Sequence, residues 1–490
     1  MGTTLASKAL GFLRDVLVAR YFGASGQVDA FMVAVAIPTL VGGMGFALST
    51  SLIPAFRRVL AAEGYERARA LSGTAVVLTL GCSLLLMLLI IAAAPGLVAA
   101  FAPGLGAADA ALAGTLLRWL AVLVVCVNLF YVLSAIYNAM EHFTIPAVTD
   151  LASNVVVLTV LVLLAGAWGI RALAAGMVAG NLLVIAVLTA PVLLRGLLAA
   201  ARLWSPDVRR LVGLAAPVFA IEVLAQGATL IENYFGTGVG TGVVASLGYA
   251  KRLTVMVVAL VGTNIARAVF PVLARLVSED AIPSARDLFT KLGHQYAITF
   301  VPLSVLFVFF HEAVVRLVFA RGAFDAAATI RTGAAFLYYS AGLALAAFLP
   351  ILLRTCYAFA DARAPLAGTL GQLGGMAVLN VLLAPRLGAA GIALASSLAL
   401  LLPVIVMARA IRRHLGGLDV RALLRTAALA AAAAAVALAP LLLAARLGIP
   451  ATPASIVLQS AVYTGAYVAA AFALLPGEMR SLIATLRRGQ

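Results

Sequence analysis

The sequence predicts an all-α polytopic membrane protein: about fourteen transmembrane helices in two pseudo-symmetric six-helix lobes, plus two C-terminal helices. Three observations carry that expectation. Hydrophobic residues make up 64% of the chain and charged residues 11%, too apolar a balance for an ordinary soluble domain. Apolar runs of about 20 residues recur between short polar breaks, and each can cross the roughly 30 Å hydrocarbon core as a helix. The basic residues gather in alternate connections, which is the positive-inside pattern.

In chain order the spans centre near residues 13, 42, 82, 125, 156, 185, 222, 258, 300, 340, 374, 399, 434 and 464. The first carries Lys8, Arg14 and Asp15 in an otherwise apolar run. A central charge costs about 2.5–3.5 kcal/mol on insertion scales, so this helix is expected to line a wet cavity or a polar bundle interior. Two roles stay open at this point: a structural ion pair of Arg14 or Lys8 with Asp15, and a cationic cavity for an anionic head group.

Basic connections follow at Arg57, Arg58, Arg67 and Arg69; at Arg195, Arg202, Arg209 and Arg210; at Arg275, Arg286 and Lys291; at Arg354 and Arg363; at Arg409 to Arg425; and at Arg480 to Arg488. The connections between them are poor in charge, and Gly236 to Gly242 carries none. Both termini are therefore expected in the cytoplasm, which requires an even number of spans. The net charge of +16 reads as membrane orientation and not as a nucleic-acid surface, because no soluble basic domain collects it. Cys82, Cys126 and Cys356 lie in apolar runs and read as packing residues, and the scattered His142, His294, His311 and His414 form no metal-ligand cluster.

An internal repeat divides the chain. SLIPAFRRVL around Pro54 echoes AVFPVLARLV around Pro271, and IYNAMEHFTIPA ending at Pro146 echoes TCYAFADARAPL at Pro365, at nearly equal separations. The expected organisation is an N-lobe over 1–204, a C-lobe over 205–416 and two extra helices over 417–490, with the lobes related by a pseudo-twofold axis along the membrane normal. A cavity between the lobes would collect Arg14, Arg20 and Asp29 from the first half, and Glu222, Glu232, Lys251, Arg252 and Arg267 from the second. Arginine suits a pyrophosphate there because its planar fork donates paired, charge-assisted hydrogen bonds.

GFLRDVLVARYFGAS, DAFMVAVAIP and SLIPAF, with RLVFARGAFD at Arg316 to Asp325, resemble the MurJ (MviN) family of lipid II flippases, within the multidrug/oligosaccharidyl-lipid/polysaccharide exporter superfamily. The resemblance implies functional cavity roles for Arg14, Asp29 and Arg252, and Lys8 stands where the family has a further arginine. It also exposes a departure: charges usual around the second-helix proline are replaced by Ala36, Gly42, Gly43 and Ala47. Glycines 42, 43 and 45 suit either a hinge or close helix packing.

Glu222 and Glu232 lie ten residues apart on the seventh span, near three helical turns and so roughly on one face. Glu232 suits the outer interface or, by resemblance to cation-coupled family members, a coupling-ion site with Asn380, and Glu222 on the same face is counted with them as a coupling-ion candidate; Ala384 stands where a second acid is expected. The expected activity is therefore flipping of a polyprenyl-pyrophosphate-linked glycan, above all lipid II for peptidoglycan synthesis, across the bacterial inner membrane by alternating access. An O-antigen or exopolysaccharide unit is the alternative cargo. A drug/cation antiporter would want an acidic cavity, and a membrane glycosyltransferase would want acids in large outer loops. The expected partners are the lipid-linked glycan, membrane lipids and a coupling cation (Na+ or H+) or the membrane potential. Neither a cofactor, nor nucleic acid, nor catalysis is expected, and the protein is expected to act as a monomer.

Overall fold

The computed structural model describes residues 2–142, 144–194, 206–450 and 452–488, and among them every regular element is a helix. The chain groups into two compact units, Met1–Ala245 with Arg321–Asp325, and Ser246–Ala320 with Ala326–Gln490. The boundary expected at 204, together with Arg195 and Arg202, lies outside the described residues.

The first unit holds α1 (Gly2–Phe22), α2 (Gly26–Glu63), α3 (Tyr65–Phe101), α4 (Ala107–Leu120), α5 (Val122–Ala139), α6 (Thr144–Trp168), α7 (Arg171–Leu194) and α8 (Pro206–Val239). Its centre is α2, which packs against α3, α4, α5 and α8. With 38 residues, α2 is about 57 Å long and far exceeds one bilayer core. Leu52 and Phe56 of α2 are buried with Leu71 of α3, Val132 of α5 and Leu211 of α8.

Small residues decide how closely these helices approach, as expected where lipid offers no hydrophobic drive to pack. A Cβ at Gly45 would lie 2.5 Å from the Asn128 Cα, so only glycine lets α2 and α5 touch there. The contact is also polar: the Gly45 N–H donates to Asn128 Oδ1 (2.7 Å), and Asn128 Nδ2 donates to Ser83 Oγ of α3 (3.1 Å). Of the two readings of this glycine stretch, Gly45 is a close-packing residue.

The second unit continues α9 (Val243–Val257) through a π-helical turn (Val258–Gly262) into α10 (Thr263–Ser278), then α11 (Ile282–Phe309), α12 (His311–Phe319), α13 (Ala326–Ala341), α14 (Leu343–Ala358) and α15 (Arg363–Leu387). There follow α16 (Ala389–Ala399), α17 (Leu401–His414), α18 (Val420–Ala437), α19 (Ala439–Arg446), α20 (Pro453–Leu474) and α21 (Pro476–Arg488). Leu273, Phe289, Leu352 and Met407 bury a core shared by α10, α11, α14 and α17. All three cysteines are free.

Proline placement explains how α20 attaches to α11. Pro302 has no N–H, so the Ile298 carbonyl one turn earlier loses its in-helix donor. The Tyr467 hydroxyl of α20 donates to that carbonyl (2.7 Å), and Tyr463 donates to the Pro302 carbonyl (2.9 Å).

Eleven helical stretches are long and apolar enough to cross a membrane, and twelve are if α13 and α14, bent by 48° at Gly342, count as one. Fourteen were expected. The two further expected spans, near residues 13 and 258, exist as α1 and as α9 to α10: the charges of α1, among them Lys8, Arg14 and Asp15, leave it outside that apolar set, and the π-helical turn divides the other into helices of 15 and 16 residues, each short of a full span.

Candidate functional site

The charges of α1 divide between a pair and free surface. Arg14 donates through Nε (3.3 Å) and Nη2 (3.1 Å) to Asp15 Oδ1, which leaves Nη1 directed away from that contact. Lys8 and Arg20 are exposed. An exposed cation on a membrane helix faces water and not hydrocarbon, because the alternative is the insertion cost already noted. Ser7 donates to Asp150 and accepts from Asn154 Nδ2 (3.0 Å), which seats α1 against α6.

The end of α1 meets the segment Arg321–Asp325 through a reciprocal glycine contact. A Cβ on Gly23 would lie 2.3 Å from the Ala323 carbonyl, and one on Gly322 would lie 2.3 Å from the Arg20 carbonyl. Both glycines have positive φ, +62° and +63°, so each is required by conformation and by space. The Ala323 N–H donates to the Arg20 carbonyl (2.8 Å). RLVFARGAFD therefore contributes backbone to the α1–α2 turn.

Asp29, in the first turn of α2, is 1% exposed. Its Oδ1 accepts the Ala245 N–H (2.7 Å) and its Oδ2 accepts the Gly242 N–H. These are donors from the amino end of α9, which a helix leaves without internal partners, so a buried carboxylate there is both satisfied and favoured by the helix dipole. The chain needs an acid at this place for structure, whatever else it does.

On α8, Glu222 and Glu232 have different surroundings. Glu222 is half-buried and lines a cavity of about 290 Å³ with Gln226, Tyr131, Thr39 and the α2 glycines. Glu232 is 5% exposed. Their shared face does not make them one site.

In the second unit Lys251 is half-buried and Arg252 exposed on α9, about two turns before the π-helical segment. Single π turns are frequent at functional sites; here the Tyr296 hydroxyl takes the Gly262 carbonyl (2.6 Å). Arg267 belongs to α10, and its side chain lies outside the described residues. Asn380 is fully buried in α15: its Nδ2 donates to the Met376 carbonyl (2.8 Å), while Oδ1 has no partner among the described residues. Sequence reading missed Arg331, a half-buried cation of α13 that donates to Ser246 Oγ of α9 (3.0 Å). It also missed Tyr131 and Asn128, which look like ordinary apolar-helix residues until α2, α3, α5 and α8 come together.

The family model described as lipid II flippase MurJ matches residues 18–459. The chain belongs to the MurJ family of lipid II flippases. Among curated MurJ proteins, a lipid II flippase of Burkholderia cenocepacia is 28% identical over 80% of this chain and 78% of its own length. A probable lipid II flippase of Rhizobium tropici is 27% identical over 81% of this chain and 77% of its own. The fold matches a solved MurJ in an inward-closed conformation with a TM-score of 0.79 and 19% identity, covering 96% of this chain and 97% of the other. An inward-facing multidrug resistance transporter of the MATE family, itself of the MOP superfamily, matches in fold at a TM-score of 0.71 and 15% identity, over 84% and 94%. The MurJ-family chain described here is thus a multi-pass helical membrane protein of a transport family.

Proposed function

We propose that this protein carries lipid II from the inner to the outer leaflet of the bacterial cytoplasmic membrane by alternating access, as a monomer with both termini in the cytoplasm and fourteen crossings. Family membership over residues 18–459 carries the reading of the cargo. The head-group ligands are cations: Arg14 and Arg20 with Lys8 from the first repeat (1–204), and Lys251, Arg252 and Arg267 from the second (205–416). Pairing with Asp15 through Nε and Nη2 orients Arg14 and keeps Nη1 for a phosphate oxygen, so the ion pair and the ligand role are compatible. Asp29 serves as a positioning residue.

Coupling is proposed to run through Glu232 and Asn380, with a cation or proton that binds the two end states differently, since only a differential affinity biases the cycle. The buried, unpartnered Asn380 Oδ1 supports this, because an orphaned acceptor in an apolar helix is costly unless something is bound there for part of the time.

Depletion of the gene should cause lipid II to accumulate on the cytoplasmic side, whereas accumulation of a different lipid-linked glycan would overturn the assignment. Arg14→Ala and Arg252→Ala should abolish transport in folded, inserted protein, with lysine at either place rescuing only in part. A cysteine near Gly238 should react with an impermeant thiol reagent in intact cells, and one near Arg67 should not.

A further inference from the structure

The cavity around Glu222 has a chemistry that the pyrophosphate-binding cations do not explain. Glu222 and Gln226 lie one turn apart on α8 and line the space of about 290 Å³ with Tyr131 of α5 and with Thr39, Phe46 and the glycines of α2. Gly43 holds the acid at its place: a Cβ there would sit 2.8 Å from the Glu222 Cβ, so α8 rests directly on the α2 backbone. Among the described residues the Glu222 carboxylate, the Gln226 amide and the Tyr131 hydroxyl make no hydrogen bond or ion pair. The Thr39 hydroxyl gives its hydrogen to the Val35 and Ala36 carbonyls, so it offers lone pairs only.

The Glu222 carboxylate is the one charge among the described lining residues and, with the Gln226 carbonyl and the Thr39 and Tyr131 oxygens, supplies acceptors, within a membrane protein where an unanswered carboxylate is costly. A phosphate is repelled. A bare hard cation asks for about six oxygens at roughly 2.3–2.6 Å, whereas this space has one carboxylate and room for a multi-atom group. Phe46 and Tyr131 form an edge-to-face pair with centroids 5.6 Å apart, and such rings favour a cation carried on an apolar stem. A primary ammonium on an alkyl chain satisfies all of these conditions: three N–H donors, one positive charge and a greasy neck.

We propose that the Glu222 cavity receives a primary ammonium group of the cargo, which in lipid II is the side-chain amine of the stem peptide's diamino acid. This rests on the lipid II reading above. It makes the site a second, charge-complementary contact, reading the peptide while arginines elsewhere hold the phosphates.

The test uses the full-length protein in nanodiscs and two probes, lipid II with a free stem-peptide amine and the same molecule acetylated at that nitrogen, with binding read by native mass spectrometry. The wild type should bind the free amine about tenfold more tightly, the scale of one charge-assisted hydrogen bond. Glu222→Gln, which keeps the shape, should bind both forms as weakly as the wild type binds the acetylated one. Glu222→Asp, one methylene shorter, should keep a reduced preference, which separates a lost contact from a misfolded lobe. Equal binding of both forms by the wild type, or a preference that survives in Glu222→Gln, overturns the proposal while leaving the lipid II reading intact. Failure of the wild type to bind either form overturns both.

Discussion

Asp29→Ala separates a structural acid from a ligand-binding one. The substitution takes away the carboxylate to which the Gly242 and Ala245 amides are both bonded, in a place that is 1% exposed. Each orphaned buried amide costs about 1–3 kcal/mol, so the pair costs about 2–6 kcal/mol. Asp29→Asn keeps one oxygen and loses the charge that the amino end of α9 favours, and should cost about 2 kcal/mol. At about 2–4 °C per kcal/mol for a unit of this size, Asn should lower the melting temperature by about 4–8 °C in detergent, and Ala by more. Below those temperatures both variants should still bind lipid II, with transport falling in step with stability. If both melt with the wild type and lose head-group binding, Asp29 touches the cargo and the positioning argument is wrong.

Three further outcomes follow from the packing. Gly45→Ala forces a methyl against the Asn128 backbone and should cost about 1–3 kcal/mol, whereas Gly81→Ala, which meets nothing within 4 Å, should gain up to about 1 kcal/mol of helix propensity; opposite shifts in melting temperature check the pair. Tyr467→Phe should destabilise more than Tyr463→Phe, because the Ile298 carbonyl has lost its in-helix donor to Pro302 and the Pro302 carbonyl has not; thermal unfolding of the two variants in one detergent decides it. Outside the membrane, burial raises the Asp361 carboxyl, but hydrogen bonds from His414 and from the Ala364 and Arg363 amides outweigh it and hold the group below its usual value. That stabilisation is full above the unfolded carboxylate value of about 3.9 and is lost as pH falls through the lower folded value. Melting of the wild type should therefore drop more steeply on acidification than melting of Asp361→Asn.

Periodicity and hydropathy made the helices legible, and each expected span has a helix at its centre. The apolar count falls short of fourteen at the two segments that carry the cations the proposed cargo needs: the charges of α1 remove it, and the π-helical turn splits α9 from α10 into helices of 15 and 16 residues. Arg14 was legible as a residue of interest because a charge in an apolar run is visible locally. Tyr131, Asn128 and Arg331 were not. Tyr131 becomes part of a site only beside Glu222, Asn128 only beside Gly45 and Ser83, and Arg331 only beside Ser246, and no local pattern encodes those meetings. Asp29 was legible as an unusual acid, but its bonds to backbone amides 213 and 216 residues away leave no trace in composition.

The bond between Tyr467 and the carbonyl that Pro302 strips of its donor has a consequence for how a late helix is added to a bundle in lipid. Apolar faces compete with lipid tails, so the alanine-rich face that α18 turns to α20 needs polar contacts beside it to fix rotation and depth. The missing N–H supplies one of them, an acceptor at one height on one side of α11, next to the Pro302 carbonyl that Tyr463 takes. Pro302→Ala should then improve α11 as an isolated helix and loosen its grip on α20: a local defect acts as the address, and repairing it erases the address.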